Sequence, residues 1–188
     1  MNSTSIIYLI SVFLLFASFE LKSQAVKEQT ASKNDFYKHR ISVLMANSHI
    51  PTATNSIGDK SYLVVPTWGL DYDYSFTRNF GMGMHSDIVL QQYKIEEQGD
   101  HKIIERSFPV AVNLVGLYKP IKKLSVVFGG GMEFEKTENF KMLVLGLEYG
   151  IELPNQWELG INLLYERKIE IYDSWFFGMG FSKLFGHN

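Results

Sequence analysis

The chain has 188 residues, 46% hydrophobic, 14% aromatic and 20% charged, with a formal net charge of −2. That length gives one domain or two very small ones. The composition excludes disorder and a bundle of membrane helices, and the near-neutral charge gives no electrostatic footprint for nucleic acid. Cysteine is absent, which excludes a disulfide framework, a thiolate metal site and a cysteine nucleophile.

In chain order, the first feature is an apolar run from Ile6 to Phe19 followed by Ser23-Gln24-Ala25. The run is short for a bilayer span, and small-x-small is a cleavage pattern. Residues 1–25 therefore read as a secretory signal peptide cut after Ala25, although Met1 to Ser5 carry no Lys or Arg. Residues 26–38 form a polar leader without periodicity.

From residue 39 onward the hydrophobic period is two. Eight alternating segments cover 39–49, 61–76, 80–95, 104–118, 124–136, 140–153, 157–168 and 171–185. In the second segment Tyr62, Val64, Trp68, Leu70, Tyr72 and Tyr74 oppose Thr67, Gly69, Asp71, Asp73 and Ser75. In the third, Phe80, Met82 and Met84 oppose Gly81, Gly83, His85 and Asp87. The fifth sets Phe128, Met132 and Phe134 against Gly129, Gly131 and Glu133, and the sixth sets Leu143, Leu145 and Leu147 against Gly146, Glu148 and Glu152. The seventh and eighth repeat the pattern, with Glu158, Gly160, Asn162, Glu166, Gly178 and Gly180 on the polar side.

Gly weakens a solvated strand, so a Gly- and carboxylate-rich face belongs where space is short, inside a narrow barrel. The bulky face then points to lipid. Aromatics near segment ends, including Tyr93, Phe140 and Tyr172, read as interfacial girdles. Short connections at 77–79, 119–123 and 154–156 alternate with 50–60, 96–103 and shorter links at 136–139 and 169–170. This is the pattern of an eight-stranded antiparallel up-and-down transmembrane β-barrel over 39–188, with short periplasmic turns.

The signal peptide, eight amphipathic segments, aromatic belts and Gly-rich lumen resemble the small OmpA/OmpX-type outer-membrane barrels. The ending, Trp175 to Phe185, is similar to that family's C-terminal assembly signal, although Gly186-His187-Asn188 follow the aromatic. The resemblance implies an exported protein of a Gram-negative-type outer membrane. It is specific for architecture and says little of function.

Arg40, Asp71, Asp73, His85, Asp87, Glu133, Glu148, Glu152 and Glu158 have inward parity and are expected to form a lumen polar network, with an Arg40–Asp73 or Arg40–Asp71 ion pair. Holding a cation is the alternative use of the excess carboxylates, but no loop motif gathers them, so no metal site or cofactor is assigned. His85-Ser86-Asp87 has hydrolase residue types, yet alternate strand positions face opposite sides, so no catalytic residue is assigned.

Lys60, Lys94, Arg106, Lys141 and Arg167 lie near outer segment ends with lipid-facing parity, as a rim for lipopolysaccharide phosphates would require. Pro66 and Pro109 cannot donate ladder hydrogen bonds and predict bulges or frayed pairing near that rim. The functional expectation is a non-enzymatic integral barrel with a structural or assembly-subunit role. Its partners would be outer-membrane lipid, lipopolysaccharide or another membrane protein. The alternative is a surface binding module, and a lipid-modifying enzyme is the weakest reading.

Overall fold

The computed structural model describes residues 36–54, 60–96 and 103–187, so the expected signal peptide and nearly all of the polar leader lie outside the described residues. The described residues form ten strands: β1 (Tyr37–Thr54), β2 (Lys60–Ser75), β3 (Phe80–Val89), β4 (Gln92–Glu96), β5 (Ile103–Ser107), β6 (Val110–Ile121), β7 (Leu124–Phe134), β8 (Phe140–Leu153), β9 (Trp157–Lys168) and β10 (Tyr172–His187). Eight of them close an antiparallel barrel in the order β1-β10-β9-β8-β7-β6-β3-β2, while β4 and β5 pair separately as a ribbon. β1 meets β10 from Tyr37↔His187 to His49↔Trp175, which removes the sheet edge.

The expected faces are observed. Val43, Met45, Trp68, Leu70, Met84, Leu114, Phe128, Leu145, Phe177 and Met179 are all exposed around the outside. Inward positions hold Gly, Ser, Asn and charged residues, with Ser42, Asp73, His85, Asn113, Glu148, Asn162 and Ser182 buried. Soluble proteins rarely expose contiguous apolar surface on this scale. A belt of Leu, Phe, Met and Trp around a closed barrel is a surface for hydrocarbon.

Lumen glycines are needed where neighbouring strands press close. A Cβ on Gly131 would collide with the Val112 carbonyl and sit 2.6 Å from Asn113 Oδ1. On the short-turn end, Thr77 Oγ1 accepts the Phe80 amide at 3.0 Å, and Asn155 takes a left-handed φ of 61° in the β8–β9 turn.

Two differences from the sequence reading concern the opposite, loop-bearing end. The segment expected at 39–49 extends to Thr54, with a register shift between Pro51 and Thr54. The expected third and fourth segments each break. β3 ends at Val89 and β4 begins at Gln92. β5 ends at Ser107, where Phe108 adopts φ 49° ahead of Pro109, before β6 starts. Frayed pairing was predicted at both prolines. The β2–β3 ladder stops at Thr67↔Val89, one residue from Pro66, and Pro109 lies in the β5–β6 break. No register slip occurs at Pro66 itself, because its ladder with β1 runs through unbroken.

The β4–β5 ribbon folds over the loop end. Tyr93, Ile95 and Ile104 pack in one apolar cluster with Ile50, Val65, Val89, Phe140 and Tyr172.

Candidate functional site

The chemistry of this chain lies in its lumen, which holds two ionic networks. The first is near the short-turn end and centres on Arg40. Its Nε donates to Asp73 Oδ2 at 2.7 Å, Nη1 to Glu158 at 3.3 Å, and Nη2 to Glu148. β1, β2, β8 and β9 therefore converge on one guanidinium, whose planar fork suits several carboxylates at once. The predicted Arg40–Asp73 pair is present, with Nη2 2.6 Å from Oδ2. Asp73 also binds His85 Nε2 at 2.9 Å, while His85 Nδ1 lies 3.8 Å from Asp71 Oδ2.

The second network lies under the β4–β5 ribbon. Arg106 is completely buried, with Nη2 and Nε donating to Glu133 Oε1 at 2.6 and 3.1 Å, and Nη1 donating to the Glu138 carbonyl at 2.7 Å. Its guanidinium stands 4.1 Å above the Phe140 ring. Tyr172 donates to Glu133 Oε2 at 2.8 Å and meets the Tyr93 hydroxyl at 2.9 Å. Lys168 donates to Glu166 at 2.6 Å and to Ser174 at 2.7 Å.

Between the networks lies a buried apolar cluster of Leu44, Ala46, Val115, Val144, Leu164 and Phe176, with Asp87 and Asn113 beside it. Among the described residues, two small lumen cavities measure about 10 and 20 Å³. Each has room for about one water. The larger is lined by Asp71 and His85 of the first network, by Leu44, Val144, Leu164 and Phe176, and by Asp87 and Glu166.

Several predicted roles need correction. Parity along an unbroken strand puts Arg106 on the lipid-facing rim, whereas in the structure it is the hub of the second network. Phe108, with its left-handed φ, and Pro109 after it break the alternation, so even-numbered residues point inward in β5 and odd-numbered ones in β6. Parity puts Glu152 in the lumen, but it is exposed and binds Lys122 at 2.9 Å, three residues past the last β7–β8 pair at Leu124↔Tyr149. Tyr93 of the ribbon is buried in one apolar cluster with Phe140 and Tyr172, so none of the three belongs to a girdle.

Of the remaining rim residues, Lys94 pairs loosely with Glu105 at 3.8 Å and Arg167 with Asp173 at 3.9 Å, and both are exposed. Lys141 is exposed on β8, and the side chain of Lys60 lies outside the described residues. Ser86 Oγ donates to the Leu70 carbonyl at 2.7 Å, while neighbouring His85 points inward, so the two do not converge.

Sequence reasoning missed Lys168 and Glu166 as a lumen pair. The parity of β9 already placed Glu166 inside, and the same parity extended by two residues reaches Lys168.

No protein-family model matches this chain, and no curated protein does. Among solved structures it is similar to Neisserial surface protein A, with 8% identity and a TM-score of 0.52, covering 78% of this chain and 97% of that one. It also aligns with Ail of Yersinia pestis, with 12% identity and a TM-score of 0.49, covering 80% and 99% of the two chains. The N-terminal β-barrel domain of Pseudomonas aeruginosa OprF aligns with 10% identity and a TM-score of 0.48, covering 80% and 100%. Ail is also described in complex with the heparin analogue sucrose octasulfate. The fold is that of the small eight-stranded outer-membrane barrels of the OmpA/OmpX type.

Proposed function

We propose that this chain is a non-enzymatic integral outer-membrane barrel that supports envelope structure, alone or as a subunit of a larger membrane assembly, and conducts no solutes. The filled lumen carries this reading. Two buried ionic networks, an apolar cluster between them and a folded-over ribbon fill the interior among the described residues, and the two lumen cavities, of about 10 and 20 Å³, are of water size. An eight-stranded barrel has just the interior its side chains fill. Planar-bilayer recording tests the closed lumen: the expected result is no stepwise conductance above the lipid baseline, and reproducible unitary steps would overturn it. Native mass measurement after gentle extraction separates the two structural roles, since a stoichiometric larger species identifies a subunit and a single chain with lipid an autonomous barrel.

A second reading, a surface that binds lipopolysaccharide or another anionic ligand, is favoured by the exposed Lys94, Lys141 and Arg167 near the loop end. Cations there suit the anionic outer leaflet. Neutralising all three is expected to reduce lipopolysaccharide co-purification, and unchanged co-purification would remove this reading.

A further inference from the structure

We propose that Asp71, His85 and Glu148 bind one divalent first-row transition-metal ion inside the barrel. One ligand atom from each lies within 4.8 Å of the others, and all three residues are buried. Proximity alone would be weak evidence, since carboxylates cluster without metals. The independent observation is His85 Nδ1. It is buried, makes no hydrogen bond, and faces Asp71 Oδ2 across 3.8 Å, beyond hydrogen-bond reach. A buried ring nitrogen without a partner is a rare feature that needs a reason.

The other ring nitrogen supplies it. Nε2 meets Asp73 Oδ1 at 2.9 Å. With the proton on Nε2, the imidazole donates to that carboxylate and presents the Nδ1 lone pair to the centre of the cluster. A carboxylate on the far nitrogen is the usual way a metal-binding imidazole is oriented and made more basic. Asp73 is itself held by Arg40, which also holds Glu148. One guanidinium thus fixes both the ligand Glu148 and the positioning residue Asp73.

Charge and space agree. The Arg40 guanidinium meets three carboxylates (Asp73, Glu148 and Glu158), Asp71 lies beside His85, and Lys119 sits near the same end with Nζ 3.4 Å from Ser75 Oγ, so carboxylates outnumber the lysine and arginine cations and a divalent ion offsets the excess. Asp71 lines both water-sized cavities, with Glu148 on one and His85 on the other, so a water can complete the coordination shell. One imidazole nitrogen with two carboxylate oxygens suits Zn²⁺, Co²⁺, Mn²⁺ or Fe²⁺. Ca²⁺ and Mg²⁺ prefer all-oxygen sets.

The test uses the untagged full chain, folded in detergent micelles and stripped of metal. Titration with Co²⁺ is expected to give one bound ion per chain with a visible absorption band, displaced by Zn²⁺. His85→Gln is expected to lose the band, and Asp73→Asn to weaken binding by about 10- to 100-fold through the imidazole. Gel migration of unheated samples verifies folding of each variant. Should a variant not fold, ¹⁵N spectra of the parent decide: Zn²⁺ is expected to move the His85 Nδ1 resonance and leave Nε2 protonated. Substoichiometric Co²⁺ binding, equal binding by a folded His85→Gln chain, or a His85 ring protonated on both nitrogens and unmoved by Zn²⁺ overturns the proposal.

Discussion

Replacing Arg106 with Met distinguishes a buried hub from a surface charge. The substitution keeps an apolar stem against Phe140 and removes every polar contact of the guanidinium. Glu133 then retains only the Tyr172 hydroxyl at 2.8 Å and Lys168 at 3.8 Å, and the Glu138 carbonyl loses its donor. Breaking a buried pair from one side typically costs about 3–5 kcal/mol, because the remaining charge stays out of water. Lys94→Met removes a cation from an exposed pair with 68% and 63% side-chain exposure, and such pairs are worth about 0–1 kcal/mol. The double change Arg106→Met with Glu133→Gln removes both charges and keeps an acceptor for Tyr172. It is expected to recover most of the loss.

Urea unfolding in lipid vesicles, followed by the emission of Trp68, Trp157 and Trp175 on the exposed apolar face, measures all three variants. An Arg106→Met barrel no less stable than Lys94→Met would refute the inward placement of Arg106 and restore the rim reading.

Other consequences are as direct. Gly131→Ala drives a methyl group into the Val112 carbonyl and should lose about 1–3 kcal/mol by overpacking, whereas Gly160→Ala, with its nearest neighbours 3.8 Å away, should fold normally; the folded fraction on unheated gels reads both. Leu147→Arg places a charge on the lipid face in mid-strand and should destabilise by about 2–4 kcal/mol in vesicles, while Lys141→Ala should change little; equal effects would argue that the bulky face is not in lipid. In the β7–β8 loop, the Thr137 amide donates to Glu135 at 2.9 Å and holds that carboxyl below its ordinary range. A depressed folded pKa means the contact contributes above the ordinary carboxylate range and is lost as pH falls through the depressed value. The Thr137 amide resonance should therefore stay constant near neutrality and shift only in acid, and a shift near neutral pH would contradict the contact.

The barrel was legible because period two and an inverted composition are both local signals. Phe128 against Gly129, or Leu147 against Glu148, already states which side is cramped and which is greasy. The Arg40–Asp73 pair was legible for the same reason, since β1 and β2 are consecutive and both residues have inward parity near one end. Arg106 was not, because parity is counted along an unbroken strand. Pro109 announced an irregularity, but only the φ of Phe108 reveals that it reverses the faces. Tyr93 and Tyr172 illustrate a different limit. An aromatic near a strand end reads the same whether it sits at a lipid interface or under a folded-back ribbon, and only the break after Val89 separates the two. The convergence of His85 on Glu148 joins β3 to β8 across the lumen, a contact that no spacing along the chain encodes.

Why charges fill this lumen follows from where the barrel's apolar residues are needed. A soluble core gains by removing Leu and Phe from water, but here those side chains already have hydrocarbon outside, and moving them inward gains little. The interior must instead close around backbone that leaves little room, so it uses Gly and Ser beside a few long side chains. Long side chains with several donors are efficient at this, and the two arginines each reach residues from several strands. Arg40 ties β1 to β2, β8 and β9, and Arg106 ties the ribbon to β7 and to the β7–β8 loop. Each hub is satisfied only when those strands are in register, so the networks favour one closed arrangement over slipped ones. The same requirement fixes His85 with one nitrogen committed to Asp73 and the other facing Asp71.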